Sequence, residues 1–244
     1  MIVSQGLTYD RPQSSREALH PEHKKVLDWV GSGKRVLELG CHTGNLSRWL
    51  QAQGCEVTGV ELNGAALDHA RQYLAEAYNA DLEDTSFWGS LLPRQFDVVL
   101  ALHVLEHLTD PWSALKRISA ALAPDGTLIV GLPNICSATA RFDIFRGRFK
   151  YESTGVMDRT HVRFFDQASA RELLQSGGFE VCEYFGPEKE KPIAVFVSKL
   201  PLLWRLAPLI RRIPDAVFRF SPNLTDTVMD FRCKKAAPDD RGSR

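Results

Sequence analysis

The sequence is poor in the features that mark secreted, metal-bound and membrane-spanning chains. Its five cysteines, Cys41, Cys55, Cys136, Cys182 and Cys233, are odd in number, widely separated and never spaced as CxxC. That excludes a disulfide framework and a cysteine-based zinc site, and it favours a reducing cytoplasm. No uninterrupted apolar run reaches the ~20 residues of a transmembrane helix. The N-terminal MIVSQGLTYDRPQ lacks the apolar core and small-residue cleavage site of a secretion signal. Net charge is absent as well: 30 Lys plus Arg face 30 Asp plus Glu, so nothing draws the whole surface to phosphate backbones, and nucleic acid is not an expected partner.

What is present is an ordinary globular composition, 44% hydrophobic and 25% charged over 244 residues, enough for one core. A single domain over 1–235 with a flexible tail over 236–244 is the expectation. Short β-branched runs alternate with helical patterns, which predicts an α/β fold: a Rossmann-like, seven-strand, mostly parallel sheet flanked by helices, with one late antiparallel strand. Strands are expected at Arg35–Leu39, Glu56–Val60, a short one ending near Asp81, Phe96–Leu100, Thr127–Leu132 after a Pro124-Asp125-Gly126 turn, Phe179–Phe185 and Thr227–Cys233. Helices are expected from about Asn45 to Gly54, from Leu67 to near Asn79, after Asp110-Pro111, and over Ala168–Ser176. Two long segments, 133–167 and 199–220, exceed plain connections and read as substrate-side insertions. The second mixes Trp204, Leu206 and Leu209 with Arg205, Arg211 and Arg212, which suits either packing on the domain or contact with a membrane surface.

The sharpest local signal is VLELGCHTGNL, Val36 to Leu46: a buried strand, a glycine turn and a helix start. Gly40 and Gly44 remove side chains where backbone amides must approach a ligand. The turn does not spell GxGxxG, so a dinucleotide is not indicated. Glu38 places a carboxylate at the strand end, suited to a cationic amine. Glu61, about 20 residues beyond the turn, is placed to accept from a ribose diol, and Asp81 is placed for an adenine amino group.

Taken together these motifs resemble class I S-adenosylmethionine-dependent methyltransferases, from about Val26 to Cys233, with FDVVLALHVLEHLTDP similar to the family's fourth-strand motif. The resemblance implies S-adenosylmethionine as cofactor. It implies Glu38, Gly40 and Gly44 around the methionine part, with His42 standing where the family usually has a glycine and Asn45 beside it. It implies Glu61 and Leu62 at the ribose, Asp81 and Leu82 at the adenine, and the Leu102 carbonyl at the amine. Leu105-Glu106-His107 and Thr160-His161 resemble the ubiquinone-biosynthesis O-methyltransferase branch. DRTHVRFFD, Asp158 to Asp166, resembles methyltransferases encoded with bacterial glycan genes.

These likenesses imply a small-molecule acceptor, a hydroxylated metabolite or sugar that is soluble or lipid-linked, and a cytoplasmic enzyme, in the second case peripheral to the inner membrane face. His107 and His161 are the candidate bases, because an imidazole titrating near neutrality suits a hydroxyl acceptor. Arg141, Arg146, Arg148 and Arg163 offer charge to an anionic acceptor. No metal site is assigned; His103 stands where metal-using relatives carry a glutamate. N-methylation of a small amine and a non-catalytic cofactor binder are the alternative readings.

Overall fold

The computed structural model describes residues 15–91, 94–198, 205 and 222–237. The strands are β1 (Arg35–Leu39), β2 (Glu56–Glu61), β3 (Glu76–Asn79), β4 (Phe96–Leu102), β5 (Leu122–Pro133), β6 (Phe179–Phe185) and β7 (Val228–Lys235). They form one seven-stranded sheet in the order β3-β2-β1-β4-β5-β7-β6. The pairs from β3 to β5 are parallel, and β7 runs antiparallel to both β5 and β6. The expected sheet class therefore holds.

The helices are α1 (Pro21–Val30), α2 (Ser47–Ala52), α3 (Gly64–Ala70), α4 (Thr85–Leu91), α5 (Pro111–Ala121), α6 (Ala138–Phe145), α7 (Gln167–Ser176) and α8 (Pro192–Ser198). Side chains alternate across the central strands, as period 2 requires. Leu37, Leu39, Val99, Ala101, Leu128 and Val130 join one buried cluster with Trp88 of α4, Leu115 and Ile118 of α5 and Leu173 of α7. Val36, Val57, Val98, Leu100 and Ile129 join the other with Val26 and Leu27 of α1 and Leu50 of α2. Both faces are covered, so β1 and β4 read as nearly continuous apolar runs.

Local chemistry sets the helix starts. The Asp110 side chain accepts from Ser113 N–H at 3.0 Å, with Pro111 in the first turn, and Asp166 and Ser169 form a reciprocal capping box at α7. Three expectations need correction. The helix through Leu67 ends at Ala70, followed by a short 3-10 turn, Arg71–Tyr73, and Glu76–Asn79 is strand, because its backbone completes the sheet beside β2. That third strand stops at Asn79, two residues short of Asp81. The fifth strand starts at Leu122: Phe96 pairs with Leu122 and Val98 with Thr127, so Ala123–Gly126 form an irregularity inside the strand and not a turn ahead of it. The helices α1, α4, α6 and α8 were not foreseen. The 199–220 segment, Arg205 apart, lies outside the described residues, and no described helix is long and apolar enough to cross a membrane.

Next to β6, Gly186 lies against the buried Asp226, whose carboxylate accepts from Tyr184 OH at 2.6 Å. A Cβ at Gly186 would overlap that carboxylate. Gly186→Ala should therefore destabilise the fold by about 1–3 kcal/mol. Thermal unfolding should show a fall of several degrees, and an unchanged midpoint would contradict the packing described.

Candidate active site

Strand order reverses between β1 and β4, which places a crevice at their C-terminal ends, where open α/β sheets bind ligands. On one side lies the turn after β1. Gly40, His42 and Gly44 have φ of 70°, 48° and 80°, so three of five residues are left-handed. A Cβ at Gly40 would sit 2.8 Å from Val104 Cγ2, so glycine is needed there for space as well as conformation. His42 takes the αL conformation that glycine adopts freely, and His is among the side chains enriched there. The missing glycine has thus left the turn intact. Asn45 follows, half-buried, at the entrance to α2.

Glu61 ends β2 and organises this turn. Its Oε2 accepts from His42 N–H at 3.0 Å and its Oε1 from Asn63 N–H at 2.8 Å. Asn79 at the end of β3 donates its side-chain amide to the carbonyls of Glu61 and Leu62, both at 2.8 Å. Leu62 is 58% exposed at this edge, an apolar surface beside a carboxylate. Asp81 is exposed and Leu82 half-buried. The loop they share is closed by Glu83 N–H donating to Asp81 Oδ1 at 2.8 Å, and the Leu82 carbonyl accepts from Trp88 Nε1 at 2.9 Å.

Glu38 is buried on β1, and Ser47 Oγ donates to its Oε2 at 2.5 Å. Burial pushes its pKa up to about 7; the Ser47 hydrogen bond opposes this and the charge of Glu61 adds to it. A buried acid with one such partner fits a cationic ligand group that would complete its pairing. Glu38 and Glu61 thus lie at the ends of β1 and β2, and Asp81 lies in the loop two residues beyond β3.

Across the crevice, β4 ends at Leu102, paired with Gly131. His103 follows with φ of 54° and donates its N–H to Gly131 O at 3.0 Å. Its Nε2 lies 2.8 Å from Glu22 Oε1 of α1 and its Nδ1 3.5 Å from Glu106 Oε1. Burial opposes a charge on His103, but Glu22 and Glu106 outweigh it and hold the imidazolium above its ordinary range. Asp230 of β7 is fully buried beside this pair, and burial followed by the Glu22 charge raises its carboxyl. A Cβ at Gly131 would come within 3.0 Å of Asp230 Oδ1 and 3.1 Å of Glu22 Oε1.

His107 and His161, 54 positions apart in the chain, come together with ring centroids 4.8 Å apart. His107 Nδ1 lies 3.2 Å from Thr160 O, and His161 Nδ1 lies 3.0 Å from Val156 O. A carbonyl only accepts, so each Nδ1 carries a proton, and in the neutral form of either ring it is Nε2 that holds the lone pair. Burial lowers the His161 pKa, with Glu106 acting against it, which keeps that ring neutral. Glu106 is fully buried, its carboxylate has no hydrogen-bond partner among the described residues beyond the 3.5 Å ion pair with His103, and its carbonyl accepts from Val162 N–H and Arg163 N–H at 2.9 and 3.0 Å. One donor atom each from Glu106, His107 and His161 lie within 4.8 Å of one another, a spacing at which the three could hold a divalent cation. A file of ring contacts, Tyr151 to Phe149 to Phe164 to His161, leads outward at 5.6, 6.1 and 6.4 Å between centroids. The acceptor side therefore has an aromatic wall ending on the histidine pair.

The residues expected at the cofactor lie at or just beyond the C-terminal ends of β1, β2 and β3, with Leu102 at the end of β4, and the two histidines lie beyond β4. The sequence alone assigned no role to Glu22, whose partner is 81 positions away, to Ser47 and Asn79, which carry no motif of their own, or to Glu83, which lies inside the ADLED motif but pairs 26 positions away.

This fold and edge define an S-adenosylmethionine-dependent methyltransferase of the Rossmann-like class. Residues 11–184 match the methyltransferase-domain family, and the chain belongs to it. A ubiquinone biosynthesis O-methyltransferase from Azoarcus sp. (strain BH72) is 32% identical over 183 residues, spanning 72% of this chain and 78% of that protein. One from Aromatoleum aromaticum is 27% identical over 184 residues, spanning 71% and 77%. Among solved structures, a SAM-dependent methyltransferase from Archaeoglobus fulgidus superposes with a TM-score of 0.63 at 18% identity, covering 91% of this chain and 95% of that one.

The protonation of Glu38 gives a measurable consequence. Below its pKa of about 7 the free protein holds the acid neutral, and a cationic amine docking there must displace the proton. Affinity for S-adenosylhomocysteine should fall as pH drops from about 8 to about 6, with a limiting slope of roughly tenfold per unit. Glu38→Gln should bind more weakly at the upper pH and lose the slope. Calorimetry across this range checks both, and a native profile as flat as the variant's would remove Glu38 from the amine site.

Proposed function

We propose that the chain O-methylates a small hydroxylated acceptor, with His107 and His161 as the proton-accepting pair. The observation that carries this reading is the tautomer both rings share: each Nδ1 is tied to a backbone carbonyl, and each Nε2 is free to take a proton. Relatives at about 30% identity named as O-methyltransferases support it.

In this reading Glu38 holds the amine of the methionine part, while Gly40, His42, Gly44 and Asn45 present the turn. Glu61 and Leu62 meet the ribose; two of the roughly four acceptor positions of the Glu61 carboxylate remain for hydroxyls. Asp81 and Leu82 frame the adenine, and the Leu102 carbonyl takes a second proton of the amine. The cofactor supplies an electrophilic methyl group on a sulfonium. An acceptor oxygen taking that methyl group would release the neutral thioether and give up its hydroxyl proton, which an imidazole Nε2 of His107 or His161 would receive. The protein's part is to align the acceptor on the aromatic wall, keep water away and receive that proton.

The same wall defines the acceptor class as flat and apolar around its hydroxyl, soluble or carried on a lipid. Phe145, Phe149 and Tyr151 are 88, 55 and 54% exposed, with Arg146, Arg148 and Lys150 between them. That combination suits an anionic lipid surface and a peripheral location. Residues 133–167 serve here as the acceptor-side lid of a single domain, within the methyl-transferring enzyme class EC 2.1.1.

Two outcomes follow. His107→Ala and His161→Ala should each lower turnover about 100-fold while S-adenosylhomocysteine affinity stays within a few-fold; full turnover in both, measured with labelled cofactor and a panel of phenols and hydroxylated metabolites, would dismiss the pair as bases. In co-sedimentation with vesicles rich in anionic lipid, Phe145→Ser combined with Phe149→Ser should release most of the bound protein. Native protein that stays in the supernatant would rule out the lipid contact.

A further inference from the structure

Three loops meet at Thr109, and none of the roles assigned above uses that junction. From the cofactor side, the Asp81–Asp84 loop is closed on itself by Glu83 N–H donating to Asp81 Oδ1 at 2.8 Å. The Glu83 side chain leaves its own loop. Its Oε1 accepts from Thr109 N–H at 2.9 Å, from the Thr109 hydroxyl, and from Asp110 N–H at 3.3 Å. These donors, led by the Thr109 hydroxyl, hold the Glu83 pKa below its ordinary value, so the acceptor is a full carboxylate and the bonds are charge-assisted.

From the acceptor side, the Thr109 carbonyl accepts from Arg163 Nη2 at 2.6 Å and from Arg163 Nε at 3.2 Å. The guanidinium also lies 5.5 Å from the Trp112 ring. The backbone of Arg163 and of Val162 is in turn fixed to Glu106 O, and His161 is the next residue back. Both ends of one peptide segment, its N–H groups and its carbonyl, are therefore gripped by ionised side chains from the loops on either side.

We propose that Glu83 is a positioning residue that couples occupancy of the cofactor site to the order of the segment carrying His161, acting through Thr109 and Arg163. The inference rests on Asp81 and Leu82 meeting the adenine. A ligand that steadies the Asp81–Asp84 loop steadies Glu83, and through Thr109 it holds Arg163 and the neighbouring histidine. By linkage the reverse holds equally: an acceptor that orders the 156–165 segment tightens cofactor binding. Each exposed bond contributes little alone, but four of them share Thr109, and local opening of such segments is a low-energy event that small terms control.

The test is amide hydrogen exchange on the full chain with and without saturating S-adenosylhomocysteine, alongside calorimetry. In the native protein the ligand should slow exchange at residues 159–165 by about tenfold or more. Glu83→Ala should lose most of this slowing while its S-adenosylhomocysteine affinity stays within about threefold. Arg163→Ala should reproduce the loss from the other side. Glu83→Gln, whose amide oxygen accepts from the same donors, should keep it, which separates coupling from a general loss of stability. Heat of binding without slowing in the native protein overturns the coupling alone, as does slowing that survives in Glu83→Ala. No heat at all with native protein overturns the coupling together with the assignment of Asp81 and Leu82.

Discussion

The ligand edge depends on one carboxylate. Glu61 accepts the His42 amide from the turn after β1 and the Asn63 amide from the turn after β2, and so ties two loops to one side chain. The turn it holds is locally unfavourable, with a histidine in the left-handed region. An anion fixed across its amides offsets that cost. The carbonyls of Glu61 and Leu62, held by Asn79, bring the tip of β3 into the same arrangement. Cofactor recognition then needs little movement, because the amides and acids that would receive the ligand are already oriented by one another.

The other half of the crevice uses charge differently. Glu22, His103 and Glu106 form an ionic cluster beyond the end of β4, with the Asp230 carboxyl packed beside it and the glycine at 131 making room for Glu22 and Asp230. Such clusters seldom add stability, since the cost of dehydrating the ions is comparable with their attraction. What this one contributes is geometry. It ties α1, β5, β7 and the residues after β4 to a single imidazolium, and it fixes where Glu106 and therefore His107 stand. The left-handed backbone of His103 marks the place where β4 is turned abruptly into that cluster.

Most of the sheet was legible in the sequence, because strands buried on both faces write themselves as runs such as Val36–Leu39 and Phe96–Leu102 and the glycine turn sits where one of them ends. The edge strand β3 was expected as a short strand ending near Asp81, but its range was misjudged, with the preceding helix drawn over it to near Asn79. Glu76–Asn79 is built of helix-compatible residues, is only half-buried, and gains its conformation from its neighbour. The start of β5 was misread because Pro124-Asp125-Gly126 has turn chemistry, and only pairing with β4 shows it to be an irregularity within a strand. At the site, motif-bearing residues were found and their partners were missed. Glu22 and His103 are 81 positions apart and Glu83 and Thr109 are 26 apart, distances at which one sequence carries no trace of contact. His42 stood out as a departure, and its backbone conformation shows why that departure is tolerated.

The position of β7 has a consequence for how the molecule comes into being. Residues 228–235 form an interior strand, wedged between β5 and β6, although they follow both in the chain. While the polypeptide is still emerging from a ribosome, β6 has no neighbour and one side of β5 is bare. The nascent protein must shelter the bare edge of β5 and the unpaired β6 until residues 228–235 have been made. That insertion also seats Asp230 beside Glu22, so the part of the crevice beyond β4 takes shape only after β7 is in place, while the turns after β1 and β2 can form earlier.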